Sequence, residues 1–172
     1  DPALYVRRSV ANNLNDIAKD HPDRVIDVCE RWLKDAPPER RWIVERATRT
    51  LVKAGHPRVW GLLGYTRRPK VTVSDMHLSA ARIDMGEEVT FEALLASAGR
   101  STQKLVVDYA VHFVKANGKT RPKVFKLAVV TLARDAERPL KGVVSLRPIS
   151  TRKYYPGRHT IELLVNGQPH AR

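Results

Sequence analysis

Apolar residues recur at helical spacing through the first third of the chain and at alternate positions through most of the rest, so the pattern predicts helices first and strands afterwards. In residues 5–17, a 3.6-residue repeat puts Val6, Val10, Leu14 and Ile17 on one face and Arg8, Asn12, Asp16 and Lys19 on the opposite one. The spacing predicts a helix over 2–19 with Asp1 as its N-cap, and a second over 23–34 with Val25, Val28, Cys29 and Trp32 inward. A third is predicted over 39–54 with Ile43, Ala47 and Leu51 packing and Gly55 as its left-handed cap, and a short fourth over 57–63. Beyond these, alternating runs predict strands at 71–73, 77–83, 89–95, 104–114, 123–132, 142–147 and 159–165, with a short last one after Gly167. Asn117-Gly118 and Asn166-Gly167 read as two-residue hairpin turns.

The pattern changes at Gly64-Tyr65-Thr66-Arg67-Arg68-Pro69, which sets expected domains of 1–66 and 67–172. Within the first, Val6-Arg7-Arg8-Ser9 lies over Val44-Glu45-Arg46-Ala47, and His21-Pro22 and His56-Pro57 each lead into a shorter apolar helix. A helical hairpin recurring at that period suggests HEAT-like repeats. Two copies are few for a continuous core, so further repeats are expected upstream. The expected fold class is α + β multidomain, with HEAT-like helical repeats followed by an all-β immunoglobulin-like sandwich.

Charge narrows the partners. The chain of 172 residues has a formal net charge of +13, which points to a polyanion: nucleic acid first, an anionic membrane surface second. Residues 1–66 carry 12 Lys and Arg against 9 Asp and Glu, and residues 67–172 carry 19 against 9, so most of the excess sits on the β part. A lone cysteine, Cys29, and the absence of any long apolar run or signal-peptide layout lead to the expectation of a cytoplasmic, soluble protein. Trp42, Arg46, Arg49 and Lys53 form a stripe that suits a phosphate backbone, or else a solvated basic face. In the β part, Arg67 and Arg68, then Lys119, Arg121 and Lys123, then Arg152, Lys153 and Arg158, are short basic groups suited to DNA phosphates, or else to edge-strand protection. The six histidines are scattered without metal-ligand spacing, and no phosphate loop or nucleophile elbow is present, so no metal and no cofactor are expected.

The run Tyr5-Val6-Arg7-Arg8-Ser9-Val10-Ala11-Asn12-Asn13-Leu14-Asn15-Asp16-Ile17-Ala18-Lys19-Asp20-His21-Pro22, with Arg41-Trp42-Ile43-Val44-Glu45-Arg46-Ala47-Thr48-Arg49-Thr50-Leu51-Val52-Lys53 and Leu62-Leu63-Gly64-Tyr65, resembles the AlkC branch of the HEAT-like DNA alkylation repair glycosylases. The resemblance implies part of a bacterial DNA glycosylase that excises N-alkylated, cationic bases such as 3-methyladenine or 3-methylcytosine from double-stranded DNA, acting as a monomer without cofactor. It implies Asp16 as the catalytic carboxylate, with Arg7, Arg8 and Asn12 beside it on the DNA and Arg7 leaning toward the packing side. The family's sites also draw on residues upstream of these motifs, so the chain alone is expected to be inactive. The plainer reading of Asp16 is an i,i+3 ion pair with Lys19. The rival classes are a non-enzymatic DNA-binding or scaffold module and a domain that binds an acidic protein.

Overall fold

In the computed structural model, residues 2–171 are described, and the chain divides into two compact units, Asp1–Arg67 and Arg68–Arg172. The first holds five helices: α1 (Leu4–Asp20), α2 (Pro22–Leu33), α3 (Pro38–Ala47), α4 (Arg49–Lys53) and α5 (Pro57–Leu62). Asp1, the expected cap, lies outside the described residues, and Ala3 occupies the cap position of α1 without a side-chain bond. The inward face of α1 is also turned from the expected one. Ala11, Asn15 and Ala18 are its buried residues, whereas Val6 and Ile17 stay 38% and 40% exposed. Small side chains let α1 approach the buried Ile43, Val44 and Ala47 of α3 more closely than a Val/Ile stripe would. At the far end of α4, Gly55 takes φ 68° and the amide of His56 donates to the Leu51 carbonyl at 3.0 Å, the left-handed cap expected there.

The predicted third helix is two helices. At Thr48 the backbone leaves the helical region for φ −94°, ψ 5°, and the Thr48 hydroxyl donates to the Val44 carbonyl at 2.8 Å. The buried Asn15 then takes over the freed end. Its Oδ1 accepts from the Thr50 amide at 3.2 Å and the Thr50 hydroxyl at 2.8 Å, so a side chain of α1 caps α4.

The second unit is two antiparallel sheets built from β1 (Val71–Leu78), β2 (Glu88–Ser97), β3 (Gln103–Val114), β4 (Thr120–Leu132), β5 (Glu137–Ser145), β6 (Thr160–Val165) and β7 (Gln168–Ala171). Their orders are β1-β2-β5 and β4-β3-β6-β7. Alternation sends Leu105, Val107, Val111 and Phe113 of β3 inward against Phe91 and Leu95 of β2, with Leu163 and Val165 of β6 completing the core. The separate runs expected at 71–73 and 77–83 give one strand, because a bulge between Ser74 and His77 absorbs the break in alternation. Asn166 and Gly167 both take positive φ, 46° and 73°, and join β6 to β7 as a two-residue turn. Asn117-Gly118 does not: the loop runs from Lys115 to Lys119, and the Gly118 amide donates to the Lys115 carbonyl at 2.9 Å.

These observations correct the expected fold class. The helices are not a HEAT-like series, since α1 and α2 have 17 and 12 residues while the supposed second copy gives pieces of 10, 5 and 6. The cause is the Thr48 break, which ends the helix where a repeat would continue it. More residues lie in strands than in helices, and two antiparallel sheets form the larger part of the architecture.

Candidate nucleic-acid interface

Tyr5, Arg8, Asn12 and Asp16 recur at i, i+3, i+7 and i+11 and are all exposed, so they form one row along α1. Asp16 is 66% exposed at its side chain, and its Oδ1 accepts from Lys19 Nζ at 2.8 Å. That hydrogen bond, then the Lys19 charge, hold the Asp16 carboxyl below its ordinary range; slight burial opposes them, and the more distant Arg49 guanidinium adds to the lowering. The carboxylate is therefore ionised at neutral pH and stands in a positive field from two helices, and among the described residues only its Oδ1 is hydrogen-bonded.

Arg7 is turned away from this row. It is half-buried, with its guanidinium 5.7 Å from the Trp42 ring centroid and its Nε buried without a hydrogen-bond partner. Arg46 lies 5.5 Å from the same ring. Trp42 is thus half-buried between two guanidinium groups, which makes it a packing element of α1 and α3 before it is a surface for sugar or base. Arg46, Arg49 and Lys53 remain exposed, and the Arg49 guanidinium donates to the Arg46 carbonyl at 2.8 Å, which turns it back along its own helix.

In the β unit, Arg121, Lys123, Arg152 and Lys153 come together, and Lys115 joins them. They line a groove of about 690 Å³ between the β3–β4 loop and residues 151–155, with Phe113, Asn117 and Tyr155 also in its wall. Among the described residues none of these five cations has a carboxylate partner. Lys119 and Arg158 are exposed outside the groove wall. Arg67 lies flat on α5, where a Cβ on Gly61 would collide with its guanidinium, and Arg68 is exposed at the start of the β unit.

Sequence reading passed over Tyr5, which is 83% exposed although its i+11 relation to Asp16 was legible. It also passed over Asn15, Lys115 and Tyr155. For Lys115 and Tyr155 no local signal exists, because the groove joins segments some thirty residues apart. Among the described residues no three His, Cys, Asp or Glu side chains are placed to hold a metal ion, and no helix is long and apolar enough to cross a membrane.

A family model described as the C-terminal Ig-like domain of the uncharacterised protein YhaZ matches residues 72–172. This finding puts the weight of classification on the β unit and not on helical repeats. YhaZ of Bacillus subtilis (strain 168) is 36% identical over 168 residues, which are 98% of this chain and 46% of YhaZ. The structure of Pseudomonas fluorescens alkylpurine DNA glycosylase AlkC bound to DNA containing an abasic site analog is similar at TM-score 0.95 and 40% identity, over 99% of this chain and 47% of AlkC. The chain thus spans about half the length of both relatives.

Proposed function

The chain belongs to the YhaZ C-terminal Ig-like domain family, and on that premise, together with its likeness to a DNA-bound glycosylase, we propose that it is part of a DNA glycosylase that excises cationic N-alkylated bases, such as 3-methyladenine or 3-methylcytosine, from double-stranded DNA. The observation that carries this reading is the ionised, exposed Asp16 on the α1 row. An N3-alkylated base already bears positive charge, so the electron pair of the breaking glycosidic bond neutralises it and no general acid is needed. The sugar becomes oxocarbenium-like, and a carboxylate beside it stabilises that cation and orients the water whose oxygen bonds to C1′ while its proton passes to the carboxylate and on to solvent. Lys19 holds Oδ1, which leaves Oδ2 to face the sugar.

Arg8, Asn12, Arg46, Arg49 and Lys53 are the proposed contacts of the helical unit to the DNA backbone. Arg68, Lys119, Arg121 and Lys123 are those of the β unit. Arg7, Trp42 and Arg67 act one step back, as packing for the residues that touch DNA. The Asp16–Lys19 ion pair also fits a module that binds DNA without cutting it, and one experiment separates the two. In a longer protein that contains this chain, Asp16→Asn should lower release of 3-methyladenine from alkylated duplex by on the order of 10²-fold or more, with duplex affinity held within about twofold. Release at the parent rate would overturn the catalytic reading and leave the binding module.

A further inference from the structure

The basic groove of the β unit has features that a general attraction to duplex DNA does not require. Arg152 is half-buried in its floor, with the guanidinium carbon 4.4 Å from the Phe113 ring centroid, 5.5 Å from that of Tyr154 and 5.6 Å from that of Phe125. A guanidinium carries five N–H donors in a planar fork, yet among the described residues this one makes a single long bond, to the Tyr154 hydroxyl at 3.4 Å. Three rings therefore fix the position of a cation whose donors are almost all unused. Four more cations, Lys115, Arg121, Lys123 and Lys153, share the same wall, and among the described residues no carboxylate does. Five like charges converging on one groove repel one another unless an anion sits among them.

A second cavity, of about 430 Å³, adjoins the first and shares Phe113 and Arg152 with it. Its wall includes Tyr109 and Phe125, whose rings stack at 5.2 Å and 18°. Lys123 Nζ, 5.7 Å from the Phe125 centroid, and Arg152 join the cations to the rings, so the two cavities together offer what the two halves of a nucleotide need, ligands for a phosphate and a ring wall for a base. The groove has two walls and lies within the size range of sites that enclose a ligand, about 300–1,000 Å³. A duplex keeps its bases paired and stacked, with no free base to lie against the rings. A single strand enters the groove, with phosphates on the cations and a base against the rings.

We propose that this groove binds a single unpaired nucleic-acid strand, with Arg152 as the central phosphate ligand and the Tyr109–Phe125 wall as the seat of one unstacked base. The inference rests on the nucleic-acid half of the function proposed above and not on its catalytic half, so loss of base release would leave it standing.

Fluorescence anisotropy on the whole chain tests it, with a labelled thymidine oligonucleotide of about twelve nucleotides and a duplex of equal length. Arg152→Gln, and separately the double variant Lys115→Gln/Lys153→Gln, should weaken single-strand binding on the order of tenfold and flatten its salt slope by about 0.7 per charge removed. Both should alter duplex affinity no more than Lys141→Gln, a control at an exposed cation outside the groove, paired with Glu92 at 2.7 Å. Phe125→Leu should weaken single-strand binding with no change of salt slope. Groove variants that match Lys141→Gln on the single strand, or that lose single-strand and duplex affinity equally, would overturn the proposal. Should Arg152→Gln disturb folding, the double variant decides alone, because Lys115 and Lys153 both lie on loops outside the core.

Discussion

At the scale of single residues, the state of Asp16 depends on its neighbours and not on burial. The carboxylate is exposed, so its lowered pKa comes first from the Lys19 hydrogen bond and charge, with a further contribution from the Arg49 guanidinium. Removing a cation disfavours the ionised form, and the sign of the effect follows from that. Lys19→Gln should move the Asp16 titration up toward the ordinary aspartate range, and Arg49→Gln should move it up by less. Carboxyl-carbon NMR titration reads both shifts, and an unmoved midpoint in Lys19→Gln would show that the ion pair does not persist in solution. Asp16 stays ionised at pH 7 in either variant. Base release by a longer protein should therefore respond to Lys19→Gln through the placement of the carboxylate and hardly through its charge. Arg7 shows the converse: the same helix sends one arginine, Arg8, to solvent and the next one to Trp42, because a shift of one residue rotates a side chain by about 100°.

At the scale of elements, the piece that holds the row against its neighbours is Asn15. It is 3% exposed, and its Oδ1 accepts both the amide and the hydroxyl of Thr50. Asn15→Ala removes the cap of α4 and leaves the part-buried Thr50 amide without its acceptor, which should lower unfolding stability by about 1–2 kcal/mol. Urea denaturation checks this, and a loss under about half a kcal/mol would mean that water or a moved side chain replaces the cap. A helix continuous over 39–54 is the natural reading of its sequence; the break joins a local bond, from the Thr48 hydroxyl to the Val44 carbonyl, to a partner 35 residues away from Thr50. Turns divide along the same line. Asn166-Gly167 was legible because both residues tolerate the positive φ of a two-residue turn, and the Val106 amide, which donates to Asn166 Oδ1 at 2.7 Å, fits that geometry. Asn117-Gly118 carries the same letters, but the register of β3 on β4, with Val114 opposite Thr120, demands a longer loop. The sandwich strands were readable from alternation alone, whereas HEAT-like repeats were inferred from matched motifs whose helix lengths only the folded chain reveals. The Asp16 row was likewise readable from spacing. The Arg152 groove was not, since its walls come from separate loops.

At the scale of the whole molecule, a charge of +13 attracts any polyanion, so it cannot by itself distinguish a specific DNA contact from loose condensation. Salt dependence can. If Arg8, Arg46, Arg49 and Lys53 each neutralise one phosphate, the helical unit releases about four counterions from a duplex and contributes about −3.6 to the slope of log affinity against log salt, beside the β unit's own contacts. Between about 50 and 200 mM salt this amounts to a loss on the order of 10²-fold. Arg46→Gln/Arg49→Gln/Lys53→Gln removes three of those contacts and should flatten the slope by about 2.7. It changes the net charge by only three of thirteen, so a diffuse attraction spread over the surface would respond far less. A slope that stays as steep in the triple variant would place the duplex elsewhere on the molecule, away from Asp16. A flat response in the parent chain would remove nucleic acid as the partner, and with it both the glycosylase and the binding-module readings.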